Sequence, residues 1–155
     1  MTHRLEQLAE EIMSHDVLTA PANAPIQEVV RAMVDRGKEC VVVADQGRPV
    51  GIVLERDLLP LAVAEGTPPA AALRELLRDE AHILAFVRET RKASPSQVDE
   101  VMQSPVQSVE AGFTLVEVAA VLEAFGYREV PVVREGRLVG LITRADIIRA
   151  LVEKP

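Results

Sequence analysis

Two stretches decide the fold: CVVVADQGRPVGIVLERDLL (residues 40–59) and EVPVVREGRLVGLITRADII (residues 129–148). Each runs from a Val-rich segment through a short glycine-containing connection into a second apolar segment. Each ends on an acid, Asp57 or Asp146, where a helix-like apolar pattern begins. The match extends outward without a gap, residues 17–59 aligning with 106–148 at a constant offset of 89. Identical pairs include Glu28/Glu117, Gly37/Gly126, Val41/Val130, Gly47/Gly136, Gly51/Gly140 and Asp57/Asp146. Two copies are too few for a solenoid. They predict two similar halves about a pseudo-twofold axis.

Each copy reads alike. An extended piece near residues 17–19 or 106–108 comes first. A helix follows, with Ile26, Val29, Val30 and Met33, or Leu115, Val118, Ala119 and Leu122, on one face. Thr114 with Glu117 suits a capping box. Gly37 and Gly126 stand where a helix would close on a left-handed residue. Two strands joined by a glycine turn form a hairpin, and their near-continuous apolar character implies burial on both faces. A final helix is expected to start at Asp57 or Asp146. The unit is strand–helix–strand–strand–helix.

The connector opens at Pro68-Pro69 and closes at Ser94-Pro95-Ser96. Leu73, Leu76, Leu77, Leu84 and Val87 predict one packing helix over about residues 69–91. Inside it, Asp79-Glu80-Ala81-His82 spells a helicase-type box. That motif needs a phosphate-cradling G-x-x-x-x-G-K-[ST] loop, which this chain lacks; the match is coincidence.

Composition narrows the function classes. The 155 residues are 48% hydrophobic and 3% aromatic, so the core is aliphatic. The net charge of −7 and the absence of a Lys/Arg stripe argue against nucleic acid. Arg outnumbers Lys 14 to 3, a bias that suits planar contacts to phosphate or carboxylate. Cys40 stands alone and His3, His15 and His82 are scattered, so neither a disulfide nor a metal site is expected. No apolar run approaches a membrane span, and the amphipathic N-terminal segment lacks a signal-peptide core. The expectation is a cytoplasmic protein without membrane insertion.

The repeated unit resembles the cystathionine-beta-synthase (CBS) domain. The resemblance rests on Val101-Met102, Pro131-Val132-Val133, Gly136-Arg137-Leu138-Val139-Gly140 and Gly140-x-x-Thr143-x-x-Asp146, with the partner copy from Ile12 to Leu59. It covers roughly residues 12–63 and 101–152. It implies an α/β fold: a tandem CBS-domain pair, or Bateman module, of two strand-helix-strand-strand-helix repeats with pseudo-twofold symmetry plus N-terminal and connector helices. The expected divisions are 1–63 for the N-terminal helix and first repeat, 64–98 for the helical connector and 99–155 for the second repeat. Such modules commonly dimerise, bind AMP, ADP, ATP or S-adenosylmethionine in clefts between repeats, and regulate other proteins. They are not usually catalysts, and no resident cofactor is implied beyond the adenine nucleotide as a regulatory ligand.

The resemblance gives Thr143 and Asp146 a second task beside capping. A carboxylate at a helix start can accept from both vicinal hydroxyls of a ribose, each charge-assisted bond being worth roughly 1.5–3 kcal/mol. Arg144 could neutralise phosphate, Arg128 could reach one, and Arg56 is a further candidate beside Asp57. The first copy reads Leu54-Glu55-Arg56-Asp57, so its capping box is gone while the acid remains. Capping explains Asp146; a ribose contact explains both acids. The resemblance places Val17, Leu18, Lys38, Glu39 and Val41 on the base side of the Asp146 cleft. It places Val106, Gln107, Tyr127, Arg128 and Val130 on that of the Asp57 cleft. Tyr127 could lie on adenine or pack as ordinary core.

Two functions follow. One is a ligand-sensing module, a homodimer that binds an adenine-containing small molecule and signals to a separate, unidentified protein. The other is a ligand-free scaffold for dimerisation or partner docking, favoured by Leu54 and Glu55. An enzyme is the weakest reading: nothing supplies a base, an orienting acid and an oxyanion hole together.

Overall fold

The computed structural model of the protein describes residues 5–66, 70–91 and 95–153. In chain order the elements are α1 (Ala9–Ile12), β1 (Thr19–Ala20), α2 (Ile26–Arg36), β2 (Cys40–Asp45), β3 (Arg48–Leu54), α3 (Glu55–Glu65), α4 (Ala70–Leu77) and α5 (Glu80–Arg91). A 3₁₀ turn (Val98–Glu100), β4 (Val109–Glu110), α6 (Leu115–Phe125), β5 (Glu129–Arg134), β6 (Arg137–Thr143) and α7 (Arg144–Val152) follow.

The strands form two three-stranded sheets, β1-β2-β3 and β4-β5-β6. In each the short first strand runs parallel to the second, and the second pairs antiparallel with the third. Both hairpins carry a register shift at corresponding places, Val43/Ala44 and Val132/Val133. The repeat is thus an architectural one. The first strands lie slightly later than expected, at residues 19–20 and 109–110.

The β-branched run of β2 is buried on both faces: Val41, Val42 and Val43 are all 0% exposed. Val41, Val43 and Val53 join Ile26, Val29 and Met33 of α2 in one core. Val130, Val132 and Ile142 join Leu115, Val118 and Leu122 of α6 in the other. Burying each such side chain contributes about 1.5–3 kcal/mol against exposure. β3 and β6 bring the two sheets together. α2 and α6 end at Gly37 and Gly126 with φ of 61° and 67°. α6 starts on the expected cap: Thr114 Oγ1 accepts from Glu117 N, whose carboxylate accepts from Thr114 N at 2.7 Å.

The segments ahead of each repeat exchange places. Ala9 and Met13, ahead of the first repeat, sit in the second repeat's core. Val98, Val101 and Met102, ahead of the second, pack in the first. Backbone bridges seal the exchange: Ser14 pairs with Leu141 of β6, and Gln103 with Ile52 of β3. Met13 lies against Gly140 and Met102 against Gly51, where only a missing Cβ leaves room.

Two expectations need correction. The connector is two helices, not one. Arg78 takes a left-handed φ of 50°, and Asp79 Oδ1 accepts from Ala81 N at 2.9 Å, starting a new helix. The DEAH-like residues therefore straddle a helix start. The expected leucine stripe does not form one buried face, since Leu76 and Leu84 are 72% and 63% exposed. The expected opening at Pro68-Pro69, and Ser94, lie outside the described residues. Second, the final helices start two residues early, at Glu55 and Arg144. Asp57 and Asp146 are third in their helices because their carboxylates reach back to the N–H groups of Leu54 and Thr143, each at 2.8 Å.

Candidate functional site

A cleft of about 270 Å³ lies between the repeats. The first repeat supplies Glu39, Ile52, Leu54, Glu55, Arg56 and Leu59. The second, with its leader, supplies Gln103, Pro105, Val106, Gln107, Gly126, Tyr127, Arg128 and Glu129. Five of the residues assigned to the Asp57 side, Arg56, Val106, Gln107, Tyr127 and Arg128, thus line one space. Val130 does not; its side chain is 0% exposed and belongs to the second core.

Each lining residue is placed by a local cause. Tyr127 follows the left-handed Gly126, and its N–H donates to Leu122 O at 2.9 Å, which fixes the turn out of α6. Its ring stacks on Phe125 with centroids 5.4 Å apart and planes 11° apart. Tyr127 O accepts from Arg144 Nε at 2.5 Å, and Arg128 O from the backbone N–H of Arg144 at 2.8 Å. In the first copy Glu39 O accepts from Glu55 N at 3.2 Å in the matching place. Arg144 is thereby directed at a carbonyl of its own repeat.

Asp57 stands in the wall rather than the lining. Its Oδ2 accepts from Leu54 N, and both oxygens accept from Gln103 Nε2 at 3.1 Å. Asp146 is held differently. Oδ2 accepts from Thr143 N at 2.8 Å and from Thr143 Oγ1 at 3.0 Å, and Thr143 Oγ1 accepts from Asp146 N at 3.2 Å. Arg149 Nη1 donates to Oδ1 at 3.3 Å. The capping box at Thr143 is real and contributes about 1 kcal/mol to the start of α7.

The residues assigned to the Asp146 side are engaged elsewhere. Lys38 Nζ donates to Asp16 O and Asp16 Oδ2, both at 2.8 Å, and the hydrogen bond to Oδ2, with the charge behind it, holds Asp16 below the usual carboxylate range. Lys38 and Glu39 line a groove between α2 and α3 with Val34, Leu58 and Leu59. Val17 is half-buried, and Val41 is fully buried in the first core. Val41 and Val130 thus have no side-chain surface to offer a ligand; both belong to the cores beneath the hairpins.

The electrostatics of the Asp57-side cleft are mixed. Glu39, Glu55 and Glu129 face Arg56 and Arg128. Burial pushes the Glu129 carboxyl above the usual range, Arg128 opposes this, Glu39 adds to it, and Arg56 and Arg144 oppose it. Sequence reasoning missed Ile52, Leu59, Pro105 and Gly126 of the lining and, among its polar residues, Gln103 and Glu129. Gln103 lies just ahead of the aligned block, and Glu129 faces Cys40 in the alignment, so neither repeats.

Comparison with known proteins bears on this arrangement. The CBS domain family matches residues 9–64 and 98–153. An uncharacterized protein of Methanocaldococcus jannaschii is 28% identical over 146 residues, 92% of this chain and 31% of that one. Two further archaeal relatives are likewise spanned only in part, to 44% and 60% of their length. Among solved structures, CBSX2 in complex with AMP has a TM-score of 0.72 at 19% identity, covering 94% of this chain and 96% of that one. A CBS domain pair in complex with 5′-methylthioadenosine and S-adenosyl-L-methionine has a TM-score of 0.66 at 22% identity, covering 94% and 95%. No helix among the described residues is long and apolar enough to cross a membrane.

Proposed function

The chain belongs to the CBS domain family, and from that premise we propose that it is a non-catalytic regulatory module that binds an adenosine-type ligand between its repeats and signals to a separate protein. The observation that carries this reading is the cleft itself. Apolar and aromatic walls from Ile52, Val106 and Tyr127 suit a base, and Arg56 and Arg128 offer cations for a phosphate; Asp57, behind the lining residue Gln103, would offer its carboxylate to ribose hydroxyls once that amide moves. Proteins of this fold hold AMP, 5′-methylthioadenosine and S-adenosyl-L-methionine, which supports an adenosine core as the common element.

Calorimetric titration with AMP, ATP and S-adenosylmethionine tests it. A ligand at 100 times its Kd should stabilise the fold by about 2.7 kcal/mol. Tyr127→Ala and Asp57→Asn should each weaken binding. Asp146→Asn should report whether the second acid serves a ligand or only its helix. No heat and no melting shift with any of the three at millimolar concentration would refute the sensor reading.

A scaffold reading is favoured by one set of contacts: Asp57, Lys38 and Arg144 all have partners within the protein. We propose a homodimer under either reading. Leu59 and Ile148 occupy equivalent positions in α3 and α7, and both are well exposed, as are Val34 and Phe125. A second copy would cover this surface. Sedimentation at micromolar concentration should show a dimer, and Ile148→Glu should dissociate it; a wild-type monomer would end the proposal.

A further inference from the structure

The Asp57 carboxylate already receives the pattern of donors that a ribose would bring. One amide nitrogen, Gln103 Nε2, lies 3.1 Å from each of its two oxygens. Gln103 also lines the cleft. Its backbone cannot drift, because Gln103 N donates to Ile52 O at 2.8 Å and Ile52 N to Gln103 O at 3.1 Å. Its side chain, by contrast, is half-buried and is held at its tip by the two contacts to Asp57.

The other repeat supplies a control. Its corresponding residue is Ser14, whose backbone makes the same bridge, to Leu141, at 2.9 and 3.0 Å. A serine hydroxyl is two atoms shorter than a glutamine amide. Asp146 receives Arg149 instead, from its own helix. The two acids therefore sit in equivalent frames, but among the described residues only Asp57 receives a side chain from the opposite repeat's leader.

We propose that Gln103 is an internal stand-in for ligand hydroxyls: its amide occupies Asp57 in the free protein and swings aside when a ribose docks. This rests on the adenosine-binding reading above. Every ligand that brings vicinal ribose hydroxyls to Asp57 exchanges one set of carboxylate bonds for another, so Gln103 sets the cleft's affinity for such ligands without contributing to the bound state. Hydrogen bonds to charged groups are among the stronger ones in proteins, so the self-competition is substantial even after the freed amide regains water.

The test is Gln103→Ser, which copies Ser14 and leaves the backbone bridge in place. Titrations use adenosine, AMP and 2′,3′-dideoxyadenosine, with a thermal melt of each free protein to establish folding. The expected result is about tenfold tighter binding of adenosine and AMP by the variant, equivalent to 1.4 kcal/mol, with no gain for the dideoxy compound. Unchanged or weaker binding of adenosine, or an equal gain for the dideoxy compound, overturns the stand-in while leaving the cleft's function intact. Binding of no adenosine compound by either protein overturns the adenosine reading and the stand-in with it. Should Gln103→Ser melt early, Gln103→Asn, one methylene short of Asp57, replaces it with the same expectations.

Discussion

Replacing Gly140 by alanine probes the exchanged leaders directly. A Cβ built there would stand 2.4 Å from Met13 Sδ, 2.6 Å from its Cγ and 2.9 Å from its Cβ. Ordinary contacts between such atoms fall at about 3.5–4.0 Å, so the overlap exceeds half an ångström at three successive atoms. Gly140 does not have a positive φ, so the backbone tolerates alanine and the whole cost is steric. Met13 cannot simply retreat, because it is buried among Ala9, Val130 and Ile142. Overpacking of this kind typically costs 1–3 kcal/mol, and the Cβ contact puts Gly140→Ala toward the upper end, about 2–3. For a chain of this length that lowers Tm by roughly 4–12 °C. Urea denaturation of Gly140→Ala, Met13→Ala and the double variant measures it as a cycle. The double variant should be less destabilised than the sum of the singles by about 1 kcal/mol or more, since removing the thioether makes room for the new methyl. A Gly140→Ala protein within about 0.5 kcal/mol of wild type, the ordinary range for innocuous surface changes, or strict additivity in the cycle, would refute the packing of the first leader on the second repeat.

Two further outcomes concern titratable groups. Glu129 has its carboxyl raised above the ordinary 4.5, chiefly by burial, so its ionisation costs more in the folded state than in the unfolded chain. Its contribution to stability is present below about pH 4.5 and is lost as pH rises through the folded value; Glu129→Gln should therefore be more resistant to urea than wild type at pH 7, with the gap closing toward pH 4, and equal resistance at both would contradict this. Burial pushes the Cys40 thiol from 9.0 up to about 12, so at pH 8 a disulfide reagent should modify it only after denaturation; rapid modification of the native protein would show that β2 is not covered.

The architecture was legible because it is written twice. Gaps and guesses that would blur a single copy cancel when residues 17–59 and 106–148 must read alike, and the hairpins and the glycine-capped helices emerge from that constraint; the Thr114 cap was read from its own Thr-x-x-Glu spacing, since Pro25 stands in its place in the first copy. What resisted reading lay where the copies differ. The break at Arg78–Asp79 depends on one left-handed residue and one aspartate cap, a signal weaker than the leucine pattern running through it. The cleft was half legible: resemblance assigned Tyr127 and Arg128 to the same side, but the partners of Asp57, Lys38 and Arg144 are long-range contacts. Gln103 is 46 positions from Asp57, and no periodicity carries information across that distance.

The exchange of leaders bears on how such a chain could arise. A single repeat, standing alone with its own leader, would have an uncovered sheet, since the methionine it carries fits a glycine on its sister. Two separate copies would meet that need by trading leaders between chains, as in a domain-swapped pair. Joining them through the connector turns that trade into an intramolecular one, at the millimolar effective concentration typical of short tethers. Nicking the connector should accordingly leave the two fragments clasped together, each holding the arm of the other.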